Sequence, residues 1–342
     1  MDNPLLLLIS LIQFLWVQMA PSTPQELSKQ EPYTSYFSGN PIDKKVQPDF
    51  GITMMGGRSE HDAAMKWFLA KAKGGDVLVL RASGSDGYNE YLYSKLGVEV
   101  NSVESLVINS LEAANHPYVI DKIEKAEVIW MAGGNQFNYV NIWGQSKMKR
   151  AINRHINKKR GAIGGTSAGM AVLGKWYFSA ENGTIQSEEA LANPYHEKLK
   201  LGNDFLEIDR LKRTITDTHY ADRNRQGRHA AFISRIVKEE EKRVFGIACD
   251  EYTAVCIEED GLAKVFGKAP EKANAVYFIQ SNCSNASLPE KSVPNQSLTW
   301  IASKKALSVY RIMADASGND RFDLNTWADG SGGEWFDWYI DN

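Results

Sequence analysis

Gly165-Thr166-Ser167-Ala168-Gly169 sets a serine among small residues in the pattern G-x-S-x-G. A short apolar run, Gly161 to Gly164, precedes it, and a helix-compatible run, Met170 to Leu173, follows. This strand-turn-helix context is what a nucleophile elbow demands. The turn is tight, so larger side chains beside the serine would strike neighbouring strands. The helix start offers the Ala168 N–H and a positive dipole end to a developing oxyanion. The chemistry implied is acyl transfer with Ser167 as nucleophile. A second oxyanion donor is expected at Gly133-Gly134-Asn135-Gln136, where paired glycines let backbone approach substrate and either Gly134 or Asn135 can donate. The bland reading of each motif is a plain strand-to-helix turn.

A serine nucleophile needs a base. Of the six histidines, His61 and His155 sit on helical stretches and His116 precedes a proline. His219 stands apart. It ends a strand-like run, Thr214 to Thr218, and opens the cluster Tyr220-Ala221-Asp222-Arg223-Asn224-Arg225-Gln226-Gly227-Arg228. A histidine beside three arginines suits a pocket for a carboxylate, which arginine grips in a planar fork. A solvated basic loop is the competing reading, and His196 and His229 are weaker alternatives as base. The orienting carboxylate should lie near another strand end. Asp250 and Glu251 stand at a turn between Gly246–Asp250 and Glu251–Cys256. Glu181 and the Glu188-Glu189 pair are the alternatives, and the residues alone leave the choice open.

These groups need a frame. Short apolar runs at Gly51–Met55, Asp76–Arg81, Val103–Ile108, Ala126–Met131 and Gly161–Gly164 read as buried strands. Amphipathic or helical stretches separate them at His61–Lys73, Tyr88–Leu96, Asp121–Lys125 and Met148–Lys158. That alternation predicts an α/β fold, a mostly parallel sheet sandwiched by helices. Ligands in such sheets sit beyond the carboxyl ends of the strands, where three Gly-rich breaks fall. Residues 51–280 are read as the catalytic domain. Residues 281–342, rich in Asn, Ser, Gly, Trp and Tyr, are read as a small β-rich extension whose aromatics pack on the main domain.

The 342 residues are 43% hydrophobic and 24% charged with a net charge of -3, an ordinary globular balance. With no excess of cations to neutralise phosphates, nucleic acid is not an expected partner. Cys249, Cys256 and Cys283 lack metal-ligand spacing and read as buried thiols. Residues 1–20 carry an apolar run, Leu5 to Val17, too short to span a bilayer comfortably and followed by Ala20 and Pro-Ser-Thr-Pro. That pattern predicts a signal peptide, a secreted or periplasmic protein, and no membrane span after leader removal. Residues 21–50 read as a linker or extended arm.

Together GGTSAGM, GGNQ, DTHYADRNRQGR and GIACDEYTAV resemble the cyanophycinase and dipeptidase E group of serine peptidases. The resemblance runs from about Gly51 to Gly267. It implies a fold related to class I glutamine amidotransferases and a Ser-His-Glu/Asp triad: Ser167, His219 and, by preference, Glu251. It also implies that Gln136, Asp217, Arg223 and Arg228 hold an aspartyl backbone, that no metal or cofactor is needed, and that the partner is a peptide or cyanophycin-type polymer. A homodimer is compatible with it. Asn135 stands where the family often has Asp, and residues 193–201 read as an insertion. An α-aspartyl dipeptidase and a non-catalytic binding protein on the same scaffold are the rival expectations.

Overall fold

The computed structural model describes residues 31–268, 274–282 and 288–341. The leader expected at 1–20, the first part of the arm expected at 21–50 and Cys283 lie outside the described residues. In chain order the strands are β1 (Thr34–Gly39), β2 (Ile52–Met55), β3 (Asp76–Arg81), β4 (Ser102–Val107), β5 (Val128–Met131), β6 (Ala162–Thr166), β7 (Tyr177–Phe178), β8 (Leu201–Gly202) and β9 (Thr214–Asp217). There follow β10 (Phe245–Cys249), β11 (Thr253–Ile257), β12 (Leu262–Gly267), β13 (Ala275–Ser281), β14 (Leu307–Met313), β15 (Arg321–Asp323), β16 (Gly330–Ser331) and β17 (Gly333–Trp338). The helices are α1 (Asp62–Ala70), α2 (Leu111–Asn115), α3 (Pro117–Lys125), α4 (Gln136–Asn138), α5 (Lys147–Arg154), α6 (Ala168–Ala171), α7 (Ser187–Ala192) and α8 (Gln226–Glu240).

The larger sheet runs β1-β4-β3-β5-β6-β2-β11-β12-β15-β16. Its centre, β4-β3-β5-β6-β2, is parallel throughout. Strands β2, β3 and β5 are near-continuous apolar runs, as expected of a parallel sheet buried on both faces. β4 and β5 are buried along their whole length. One face packs under α1, where Ala64, Met65, Phe68 and Leu69 meet Val77, Val79, Val128 and Trp130. The other face packs against α2, α3 and α5 through residues such as Leu80, Leu106, Ile129, Val119 and Ile152. The expected helix at Tyr88–Leu96 is a single wide turn, Tyr91–Lys95. In the arm, β1 lies antiparallel on the edge strand β4.

A second sheet runs β17-β14-β13-β10-β9, with β10 and β9 parallel and the rest antiparallel. One of its faces joins the core of the larger sheet through Ile247, Val276, Phe278 and Ile312. The other is covered by α8 through Ala230, Ala231, Ile233 and Val237.

The residues expected to form an extension are woven into both sheets. β14 and β17 extend the second sheet, while β15 and β16 extend the first. The boundary expected at 280 falls one residue short of the end of β13, inside a strand that both segments help to cover. The physical reason is aromatic burial. Phe322 on β15 is fully buried, stacked on Phe278 at 4.3 Å, and Trp327 stacks on Phe245 at 4.0 Å. Phe322→Ala should therefore lower the unfolding free energy by about 3–5 kcal/mol in urea titrations. A loss under about 1 kcal/mol, typical of surface positions, would show that these strands are appended rather than integral.

Candidate active site

The turn after β6 reverses within one residue. The Ser167 N–H donates to Met55 O at 3.0 Å, holding the serine against the end of β2. Ser167 has φ 50° and ψ -113°, an unfavourable pairing for a side-chain-bearing residue. Gly169 permits the tight turn, since a Cβ there would stand 2.1 Å from Met131 O. The strained serine is half-buried with its Oγ displayed beyond the sheet, and α6 begins behind it at Ala168.

His219 follows β9, in the second sheet. Its Nε2 lies 2.8 Å from Ser167 Oγ. Its Nδ1 lies 2.7 Å from Glu251 Oε1. Glu251 occupies the turn between β10 and β11, where the chain passes from the second sheet to the first. Of the candidate orienters, Glu251 is the one that meets His219. Glu188 accepts from Asn224 Nδ2 instead, Glu189 caps α7 and pairs with Lys198, and the Glu181 N–H donates to Ser179 Oγ. Asp250 braces the turn, accepting the Ala221 N–H at 2.7 Å and the Ala275 N–H at 2.8 Å. The alternative bases sit elsewhere: His229 is fully buried beside Tyr220, and His196 Nδ1 accepts the Lys198 N–H.

Burial pushes the His219 imidazole below its usual range, and the nearby Arg223 and Arg225 push the same way against the hydrogen bond to Glu251. Desolvation raises the Glu251 carboxyl, but hydrogen bonds from His219 and Arg58 outweigh it and hold the group below the usual range. The pair is thus poised as neutral imidazole against carboxylate, the state a general base requires.

The Gly133-Gly134 turn stands beside the serine, since a Cβ on Gly133 would lie 3.6 Å from Ser167 Cβ. Tyr139 Oη donates to Ala132 O at 2.7 Å and fixes this turn from behind. Gly134 and Asn135 are exposed at the strand end. Asn135 itself caps α4, its Oδ1 accepting the Phe137 N–H. Gln136 Nε2 donates to Phe178 O at 3.3 Å.

The arginine cluster divides. Arg223 is half-exposed, with Nη2 4.0 Å from Glu251 Oε1. Arg228 is 2% exposed and grips Asp217 through Nε at 2.8 Å and Nη2 at 2.5 Å. Its guanidinium also lies over the rings of Phe178 and Phe232. Asp217 and Arg228, both expected to hold substrate, turn polar groups towards each other inside the protein. Two further arginines flank these groups, Arg225 from the expected carboxylate-binding cluster and Arg58, to which the sequence assigned no role. Arg225 Nη1 donates to Thr218 O at 2.7 Å, and Arg58 Nε donates to Glu251 Oε2 at 2.8 Å. The only sequence sign of Arg58 is its place after the Gly56-Gly57 break.

Desolvation by itself would raise the Asp217 carboxyl, but Arg228, with Arg225 behind it, brings it down to about 2. Because the folded value lies below the ordinary aspartate value of 3.8, this pair stabilises the fold above about pH 4 and loses that contribution as pH falls towards 2. Arg228→Ala leaves the carboxylate buried and unpaired. It should cost about 3–5 kcal/mol in urea unfolding at pH 7, and the cost should shrink on acidification. Equal losses at pH 7 and pH 3 would contradict the pairing.

Residues 57–265, well over half of the chain, match the model of peptidase family S51. A cyanophycinase from Trichormus variabilis is 25% identical over 177 residues, 52% of this chain and 54% of that protein. A cyanophycinase from Geminocystis herdmanii is 26% identical over 146 residues, 43% of this chain and 48% of that protein. The chain thus spans about half the length of the curated relatives it matches. A crystal structure of a peptidase from an acI-B1 actinobacterium aligns with TM-score 0.48 and 14% identity, covering 68% of this chain and 91% of that one. The match of residues 57–265 spans every group of the site from Gly57 to Glu251, and the chain belongs to peptidase family S51.

Proposed function

We propose that this peptidase is a serine exopeptidase that cleaves aspartyl peptide bonds, cyanophycinase-like, through an acyl-enzyme. The observation that carries the reading is the unbroken hydrogen-bonded line from Ser167 Oγ through His219 to Glu251, 2.8 and 2.7 Å long. His219 Nε2 takes the Ser167 hydroxyl proton as Oγ bonds to the substrate carbonyl carbon. The oxyanion is met by the Ala168 N–H and by the Gly134 or Asn135 N–H. Collapse breaks the C–N bond, and His219 gives its proton to the leaving amine. Water, deprotonated by His219, then cleaves the ester and frees Ser167.

The substrate assignment is supported by the similarity to cyanophycinases and by Arg223 and Arg225 beside the base. For cyanophycin, polyaspartate bearing arginine on each side chain, the product is the β-Asp-Arg dipeptide. The apolar run of residues 5–17 supports export to a secreted or periplasmic location.

Product analysis with cyanophycin and a panel of Asp-initiated peptides tests this. Wild-type protein should release β-Asp-Arg, and Ser167→Ala should lower the rate by about 10⁴–10⁶-fold. Cleavage of Asp dipeptides alone would transfer the assignment to an α-aspartyl dipeptidase. Undiminished hydrolysis by Ser167→Ala would remove the mechanism. Because the base must be neutral and its pKa is lowered, the acid limb of kcat/KM should lie below pH 6.5, with activity rising as pH increases through it.

A further inference from the structure

The turn that follows β2 touches both partners of Ser167. The Gly56 carbonyl accepts the His219 N–H at 2.9 Å, and the Gly57 carbonyl accepts the Tyr252 N–H at 3.1 Å. Gly57, at φ 118°, lies flat against the imidazole, where a Cβ would stand 2.3 Å from Cε1. The next residue, Arg58, also holds a left-handed backbone at φ 72°, a conformation uncommon for a residue with a side chain. That conformation accompanies the placing of Nε 2.8 Å from Glu251 Oε2.

The Glu251 backbone is already fixed on both sides. Its N–H donates to Asp222 Oδ2 at 2.9 Å, and its carbonyl accepts from Asn274 Nδ2 at 2.6 Å. The carboxylate is a different matter, because its terminal torsion is broad and one hydrogen bond to His219 leaves it free to swing. Arg58 supplies the second point. An arginine with 63% of its side chain exposed contributes little to stability through one ion pair. Its partner, however, has a side chain only 6% exposed and holds the base. Arg223 cannot replace it, since it lies 4.0 Å away and on the oxygen that faces His219.

We infer that Arg58 is a positioning residue, which acts through Glu251 by occupying Oε2 so that Oε1 is held on the His219 ring. This rests on the Ser167–His219–Glu251 reading given above. The charged and titratable groups facing this pair are Arg58 and Tyr252 at the two turns, Arg223, Arg225 and Asp222 after β9, and Asp250 at the end of β10. Removing Arg58 takes away a cation and leaves the carboxylate less neutralised. Both changes favour protonated His219, so the acid limb must move to higher pH.

The test is the rate at which a fluorophosphonate probe labels Ser167, measured from pH 5 to 9 in wild type, Arg58→Ala, Arg58→Gln and Arg58→Lys. This readout needs no knowledge of the natural substrate. Arg58→Ala and Arg58→Gln should label about 10- to 100-fold more slowly at pH 7, with the acid limb displaced upwards and thermal unfolding unchanged. Lysine keeps the charge but lacks the planar Nε–H, so it should restore the pH midpoint and only a fraction of the rate. Guanidinium ion added to Arg58→Ala should recover labelling. Wild-type behaviour in Arg58→Ala overturns the inference and leaves the triad standing. A slower rate with no pH displacement and no guanidinium recovery also overturns it, as that is a merely structural effect. If wild-type protein is not labelled at all, the serine-peptidase reading fails, and the role of Arg58 with it.

Discussion

The hydrogen bond between His219 and Glu251 is the constraint on which the architecture turns. Ser167 ends a strand of the larger sheet, and His219 ends a strand of the second. Glu251 sits at the three-residue passage, Asp250 to Tyr252, where the chain leaves β10 in one sheet and enters β11 in the other. The site therefore exists only where the two sheets meet and diverge. In this chain neither sheet by itself supplies all three groups.

That junction is held by polar groups satisfied inside the protein. Asp250 ties the residues after β9 to the start of β13 through two backbone N–H groups. Asp217 and Arg228 pin the end of β9 to the first turn of α8. A buried pair of this kind is a costly way to gain stability, because desolvation cancels much of its attraction. Its use here is geometric, since the chain leaving β9 carries His219 two residues beyond Asp217. The strands contributed by residues beyond 280 have the same place in the scheme. By continuing both sheets they cover strand edges that β13 and β12 would otherwise present to water.

Much of this was legible in the chain. β3 spans the residues Asp76 to Arg81 expected of it, because a run of β-branched and leucine residues bounded by glycine and serine has few other homes. The elbow at Ser167 was legible because its strain demands small neighbours at fixed offsets. Glu251 could be shortlisted but not chosen, since proximity to His219 depends on how two sheets abut, a long-range fact that local spacing does not encode. Arg58 was missed for the same reason: it is 193 residues from the carboxylate it binds. The burial of Arg228 was not legible, because the exposure of an arginine close in sequence to His219 depends on the helix phase. On α8 that phase points it inwards, between Phe178 and Phe232.

The arginines after His219 also divide by burial. Side-chain exposure falls from 51% at Arg223 to 12% at Arg225 and 3% at Arg228. Arg228 is spent on Asp217. Arg225 is committed to the Thr218 carbonyl and keeps its remaining charge near His219, where it helps to hold the imidazole neutral. Arg223 alone of the three stands open, with a planar fork free of short hydrogen bonds from its side chain among the described residues. The cluster thus leaves the Arg223 guanidinium as its exposed member, with Arg225 as a fixed electrostatic background. Three arginines within six residues suggest a broad cationic surface, but the fold converts them into one exposed fork beside His219.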